Sequence, residues 1–349
     1  MRGLIEPLGL LDGPGAAAAI AAGAALPLAG GPRAFSLARL LPDPAAVPVA
    51  DIPPAWRRSL ERLISPPAAA WCPRPTVMGV LNITPDSFSD GGKHVDPGEA
   101  AAAGLAMVAA GAAIIDVGGE STRPGAAPTP PDTERARILP VIRALAHQGI
   151  IVSVDTRHAA TMDAALGEGA TIVNDISALA HDPQAARIVS RAGARVVLMH
   201  SRGDPQSMMG LAHYQDVAVE VVHELSLRLA AAEAAGVPRD RIALDPGIGF
   251  AKTAAHNLEL LARLPLLLNL GCPLVVGVSR KGFIGRLSGV PEPRGRLAGS
   301  LAAALFALGR GAAVLRVHDV AETMQAVRVW QALSQGAPLA PVSFAAAAG

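Results

Sequence analysis

From Thr76 onward, short β-branched runs alternate with Ala- and Leu-rich stretches of helical periodicity, eight times in succession. The strand candidates are residues 77–82, 113–117, 151–154, 171–173, 195–199, 242–244, 274–278 and 313–316. A helical stretch follows each, near 98–110, 132–147, 158–167, 183–192, 214–235, 254–264, 294–309 and 319–333. Such alternation allows an open doubly wound sheet or a closed eightfold barrel. No GxGxxG follows the first strand, which leaves the dinucleotide-binding open sheet without support. Residues 76–334 also match the roughly 250 residues of a barrel. The polar residues favour closure: Asn82, Asp116, Asp155, Asn174, His200, Asp245, Ser279 and His318 each end one strand candidate. In a barrel those ends converge on a single mouth, where active sites are built. The sequence therefore predicts an α/β fold, a (β/α)8 TIM barrel.

Residues 1–70 have another character, rich in Ala and Pro and punctuated by Pro-Pro pairs at 53–54 and 66–67. They read as an N-terminal extension of unknown role, and 335–349 as a C-terminal tail. Two amphipathic helices are expected in the extension, over 34–41 and 55–64. Leu37, Leu40 and Leu41, and then Trp56, Leu60 and Leu63, recur at helical spacing. Their apolar faces suit the bottom of the barrel or a subunit contact. The uncharged segment 13–32 is dominated by Ala and Gly and broken by prolines, and the residues before it, Arg2, Glu6 and Asp12, carry no positive bias. That argues against a secretory signal or a membrane span and for a soluble Ala-rich helix.

The 30 basic and 29 acidic residues leave a formal net charge of +1 without a long like-charged block, so neither nucleic acid nor a membrane surface is expected as partner. Hydrophobic residues make up 51% of the chain and aromatic ones only 3%, so the core must be Leu, Ile, Val and Ala packed between regular elements. Cys72 and Cys272 are too few for a disulfide framework and lack metal-ligand spacing. A reducing, cytoplasmic setting is expected.

At the expected mouth, Asp155, Asn174 and Asp245 offer two carboxylates and an amide, a set suited to a heterocycle with amino and ring N–H groups. Helix capping is the plainer use of any one of them. Arg123, Lys281, Arg316 and His318 follow different strands and suit a phosphorylated substrate, although each basic group could instead pair with a nearby carboxylate. Asn82 offers a neutral oxygen to a Mg2+ ion bridging such phosphates.

The strand ends lie inside longer motifs, which occur in the order MGVLNITPDSFSDGG (78–92), IIDVGGESTRPGA (114–126), SVDT (153–156), NDI (174–176), DPGIGFAK (245–252), SRKGFIG (279–285) and RVHDV (316–320). Together they closely resemble the dihydropteroate synthases, over nearly all of 76–334. The resemblance implies a transferase of folate biosynthesis that condenses 6-hydroxymethyl-7,8-dihydropterin diphosphate with p-aminobenzoate, giving 7,8-dihydropteroate and pyrophosphate. It implies that Asp155, Asn174, Asp245 and Lys281 hold the pterin, that Arg316 lies against it, and that Asp245, Lys281 and Arg316 carry the catalysis. Asn82, Arg123 and His318, with Mg2+, would hold the diphosphate. Ser121, Thr122 and Ser279 would order the p-aminobenzoate. Asp86, Ser87 and Phe88 would belong to a lid that closes with the STRPG loop. Family members are typically dimers, so a homodimer is implied. No pyrophosphokinase domain accompanies the motifs, so one pathway step is expected.

Two departures stand out. SRGDP follows His200 where a Met-Gln pair is frequent, placing Arg202 near the rim, and Ile248 stands where Phe is usual. His213, His223 and His256 fall on or near helices and are expected at the surface, and Met208–Met209 is expected in a loop. Two rival readings remain open. A pterin-binding corrinoid methyltransferase would share the ring ligands but have no use for the diphosphate cluster. An inactive barrel kept as a binding module would lack turnover.

Overall fold

The computed structural model describes residues 3–66, 71, 75–84, 96–121 and 125–335. The chain begins with β1 (Leu4–Leu11), α1 (Gly13–Ala21), β2 (Leu26–Pro27), β3 (Ala34–Leu41), β4 (Ala46–Pro48) and α2 (Arg57–Ile64). The expected helix over 34–41 is thus a strand. Its partner β1 runs antiparallel to it from Leu4↔Leu41 to Leu11↔Ala34, with β2 and β4 alongside. A short apolar run such as AFSLARLL suits helix or strand equally, and the paired backbone decides. The expected helix over 55–64 forms as α2, entered through a 3-10 turn at Pro54–Trp56.

The barrel runs through β5 (Thr76–Asn82), α3 (Pro97–Ala109), β6 (Ile114–Gly118), α4 (Pro131–His147), β7 (Val152–Asp155) and α5 (Ala159–Gly167). It continues with β8 (Ile172–Asp175), α6 (Ala185–Ala192), β9 (Arg195–Met199), α7 (Val217–Ala234), β10 (Ile242–Asp245) and α8 (Ala254–Ala262). It ends with β11 (Leu274–Val276), α9 (Gly282–Ser288), α10 (Leu297–Leu308), β12 (Ala312–Val317) and α11 (Val320–Gln335). All eight expected strands are present, parallel and in chain order, and β12 closes on β5 from Val314↔Thr76 to Val317↔Gly79. Among the described residues, the α-helix outside the expected set is α9, whose sequence GFIGRLS is short and carries two glycines, a poor helix former on propensity.

Strand side chains alternate between two cores. Ile115, Val117, Val152, Val154, Val196, Leu198 and Leu315 pack outward under the helices. Met78, Ile114, Ile172, Val197, Ala243, Val275 and Val314 fill the barrel interior, and Trp71 joins them as a floor. Helix starts follow their capping chemistry: Asp96 accepts from Gly98 N before α3, Asp216 from Val219 N before α7, and Thr253 with His256 forms a reciprocal box before α8. His256 is therefore half-buried rather than a free surface residue, and His213 and His223 are exposed.

The N-terminal sheet docks on the 3-10 segment Leu264–Leu270 that leads into β11. Asn269 receives Ile5 N at 3.0 Å and donates to Ile5 O at 2.8 Å, an extra rung of strand pairing made by a side chain. Buried Glu6 pairs with both Arg39 and Arg263. Leu266, Leu267, Ile5, Phe35 and Leu63 are all under 2% exposed and belong to the outer barrel core. No helix among the described residues is long and apolar enough to cross a membrane.

Candidate active site

Asp116, Asn174, Asp245 and Arg316 each stand two residues beyond a floor residue on the same strand, namely Ile114, Ile172, Ala243 and Val314. Period-two alternation therefore directs them into the barrel, one layer above the apolar floor and at its C-terminal mouth. Asp155 follows buried Ser153 in the same way on β7.

Arg316 is the hub of this layer. Its Nε donates to Asp116 Oδ2 at 2.6 Å and its Nη2 to Asp155 Oδ2 at 2.7 Å, while Asn174 Nδ2 donates to the same Asp116 oxygen at 3.0 Å. Burial opposes the charge of Arg316, but the carboxylates of Asp116 and Asp155 outweigh it and raise the guanidinium pKa. Burial pushes the Asp155 carboxyl up to about 7, with Arg316 pulling the other way. Asp116 is fully buried, and its Oδ1 has no partner among the described residues. Asp245 accepts from Gly247 N at 2.7 Å, and burial raises its pKa against that bond and the charges of Lys281 and Arg316. None of Asp155, Asn174 and Asp245 caps a helix. Asp175 organises the loop after β8 instead, accepting from Ser177 N and Leu179 N.

The basic groups divide. Arg316 is ion-paired, whereas Lys281 makes no ion pair among the described residues and rests its Nζ 4.3 Å from the Phe250 ring centroid. Burial pushes its amine down to about 8. The preceding residue, Arg280, sits at φ 60, a left-handed conformation unfavourable for an arginine. Two contacts hold it there: Ser300 Oγ receives its N–H at 2.9 Å, and Asp319 receives its Nε at 3.1 Å. The SRK and RVHD loops are thereby clamped together, with Lys281 between them and the polar layer of the mouth. His318 contacts Ser279 Oγ through Nδ1 at 3.0 Å, and burial lowers its pKa to about 3. It therefore stands here as a neutral hydrogen-bonding group.

Asn82 is half-buried at the end of β5, and its side chain makes no hydrogen bond among the described residues. A Cβ on Gly118 would lie 3.7 Å from its Oδ1 and 3.4 Å from Asp155 Cβ, so the absent side chain leaves space between them. No cluster of three or more His, Cys, Asp or Glu among the described residues could hold a metal. A carboxamide oxygen without a carboxylate cage among the described residues fits an ion that keeps water and takes substrate oxygens, which is the habit of Mg2+.

Of the p-aminobenzoate candidates, Ser121 is half-buried just past β6, Ser279 is committed to His318, and Thr122 lies outside the described residues. Arg123, Asp86, Ser87 and Phe88 lie outside them as well. The loop around Ser121 is anchored at both ends: Glu120 pairs with Arg157 at 2.9 Å and accepts Thr129 N at 3.0 Å, and Gly125 N donates to Pro205 O at 2.8 Å. Arg202 is committed to α7, pairing with Glu220 and Glu224, and covers the Tyr214 ring at 3.9 Å. Met208 is buried and Met209 exposed. Sequence reasoning gave no role to Asp116, Arg280, Asp319 or Glu120; of these only Asp116, a charge inside an apolar strand, carried a readable signal.

The sequence matches the family described as pterin binding enzyme over residues 78–318. It is 48% identical to the dihydropteroate synthase of Mycobacterium leprae (strain TN) over 259 residues, 72% of this chain and 91% of that protein. The dihydropteroate synthase of Escherichia coli (strain K12) is 46% identical over 259 residues, 74% of this chain and 91% of that one. Among solved structures, dihydropteroate synthase from Xanthomonas albilineans with 4-aminobenzoic acid superposes with a TM-score of 0.71 at 48% identity, covering 76% of this chain and 94% of that one. The same enzyme in complex with 7,8-dihydropteroate gives 0.69 at 45% identity, covering 76% of this chain and 95% of that one.

Proposed function

The chain belongs to the dihydropteroate synthases, within the pterin binding enzymes, and from that membership we propose how its own residues join 6-hydroxymethyl-7,8-dihydropterin diphosphate to p-aminobenzoate. The observation that carries the reading is the inward polar layer of Asp116, Asp155, Asn174, Asp245 and Arg316, beside Lys281, which makes no ion pair among the described residues. The carboxylates of Asp155 and Asp245 accept the pterin amino and ring N–H protons, and Asn174 serves as donor or acceptor beside them. Lys281 donates to the ring from the opposite loop, and the planar guanidinium of Arg316 lies along it. Asp116 does not reach the pterin in this scheme. It holds Arg316 and Asn174 in place from below.

In the reaction the exocyclic CH2–O bond breaks and pyrophosphate leaves with the bonding pair. The amine nitrogen of p-aminobenzoate forms the new C–N bond and sheds a proton. Positive charge grows on the CH2 and negative charge on the leaving group, so the task is electrostatic and needs no covalent nucleophile. Asp155 and Asp245 favour the cationic ring. Arg123, Lys281 and Arg316 face the developing anion, and neutral His318 donates to a phosphate oxygen. Mg2+ held by Asn82 supplies neutralisation of the diphosphate when bound. Ser121, Thr122 and Ser279 orient the p-aminobenzoate.

The substrates are small molecules. A homodimer is proposed as well, since Leu287, Phe306, Val329 and Leu333 are exposed apolar residues on α9, α10 and α11. A reducing cytoplasmic location suits the buried free thiol of Cys272. Incubating purified protein with the pterin diphosphate, p-aminobenzoate and Mg2+ tests the function. Dihydropteroate and pyrophosphate should appear together, and folded protein that releases no pyrophosphate would point to the methyltransferase or inactive-barrel alternative. Light scattering reads the dimer directly.

A further inference from the structure

Lys252, at the end of the loop after β10, is 3% exposed, and an ammonium so deep requires partners. It has three: Nζ lies 3.1 Å from Gly247 O, 3.0 Å from Phe250 O and 2.9 Å from His200 Nδ1. Three acceptors match the three protons of an ammonium. The match also assigns His200, whose Nδ1 accepts and whose Nε2 therefore donates, at 3.0 Å, to Glu224 Oε2. Glu224 is held in turn by Arg202 at 3.0 Å. A continuous polar chain thus runs from the helix face of α7 to the inside of the loop.

That loop carries Asp245 at one end and the ring under Lys281 at the other. Gly247 donates its N–H to Asp245 while its carbonyl goes to Lys252, and Phe250 does the same with its carbonyl while its ring lies against Lys281. There is no slack beneath the loop, because Gly247 sits at φ +67 and a Cβ there would lie 1.9 Å from His200 O.

We propose that Lys252 is a positioning residue for the transfer reaction: by gripping the Gly247 and Phe250 carbonyls and bracing on His200, Glu224 and Arg202, its ammonium sets where Asp245 and Lys281 stand for the pterin. This rests on the reading of Asp245 and Lys281 as pterin-holding residues. Loss of the proton would leave two N–H groups for three acceptors, and one contact would open. The charged and titratable groups facing Lys252 are Asp245 at the end of β10, Glu224 on α7, Arg202 and His200 after β9, and Lys281 before α9. Asp245 and Glu224 hold the proton on, while Arg202 and Lys281 oppose it. Burial pushes the amine down to about 7, so the balance is close enough for a neighbour to move it.

The test compares wild type, Lys252→Met, Lys252→Arg and Glu224→Gln in steady-state kinetics with each substrate across pH, alongside thermal melts. Wild-type turnover is established first, and its absence would overturn the proposed function rather than this inference. Lys252→Met should lower kcat/KM for the pterin diphosphate by about tenfold or more while moving KM for p-aminobenzoate by less than about threefold, since a small misplacement of a holding group is costly. Lys252→Arg should recover part of the loss. Glu224→Gln removes a charge that retains the proton, so the alkaline limb of the pterin kcat/KM profile should shift to lower pH. A folded Lys252→Met with wild-type kcat/KM for the pterin diphosphate overturns the proposal. Should that variant fail to fold, an unshifted alkaline limb in Glu224→Gln overturns it equally.

Discussion

Arg316 is proposed to serve chemistry, and its contacts tie that role to stability. It bridges Asp116 and Asp155 in a buried setting, so Arg316→Ala would remove the cation proposed to support the rate and leave both carboxylates without their ion pair. Loss of one preorganised electrostatic contact typically costs about 10²–10³ in kcat. Breaking a buried pair costs about 3–5 kcal/mol. Arg316→Ala is therefore expected to be nearly inactive with a lowered Tm, and more than half the wild-type rate would remove Arg316 from the assignment. His318 gives a pH prediction at the same scale. Burial lowers its pKa from 6.5 to about 3, so between those values the unfolded chain binds a proton that the native chain refuses. Its contribution is full above the unfolded value and is lost as pH falls through the interval. The ligand-free wild type should lose stability more steeply with falling pH than His318→Gln, by about 1.4 kcal/mol per pH unit. Parallel melting curves against pH would mean the imidazole is already open to water.

Among the elements, the loops after β6 and β9 are bound into one unit. Glu120 ties the first to Arg157 after β7, Gly125 ties it to Pro205, and Arg202 anchors the second to α7. The loop proposed to order the p-aminobenzoate thus leans on the loop that departs most from the family's usual sequence. Asn82, Lys281, Arg316 and His318 lie on other strand ends, so a diphosphate with Mg2+ would draw the two sides of the mouth together. Calorimetry should find p-aminobenzoate binding at least about fivefold tighter with pyrophosphate and Mg2+ present. Equal affinities would show that the loops are uncoupled.

For the molecule as a whole, the question is what residues 1–70 contribute. We propose that they act on the barrel's stability and not on its chemistry, since every assigned side chain lies after Thr76. The sheet of β1 and β3 covers Leu264–Leu270, and Asn269, with the Glu6–Arg263 pair, fastens it there. Deleting 1–70 while keeping Trp71 should leave both KM values near wild type and lower Tm. Asn269→Ala tests the same contact more gently. It strands the buried N–H and C=O of Ile5, at about 1–3 kcal/mol for each unsatisfied group. A truncated protein that stays folded yet loses turnover would tie the extension to the mouth.

The eightfold alternation, the closed barrel and the mouth residues were legible in the sequence because strand and helix periods differ and because polar residues at strand ends have no place in an apolar core. Motif order carried the identity of Asp155, Asn174, Asp245, Lys281 and Arg316. Tertiary structure alone decided the rest, wherever a partner far along the chain sets the outcome. AFSLARLL became a strand because β1 lies beside it. His318 is neutral because burial strips its water, and Arg202 is committed to α7 because Glu220 and Glu224 sit there. Lys252 reads in sequence as one more charged loop residue. Only the fold brings His200 to within 2.9 Å of it, from 52 positions earlier, and that contact makes its charge structural.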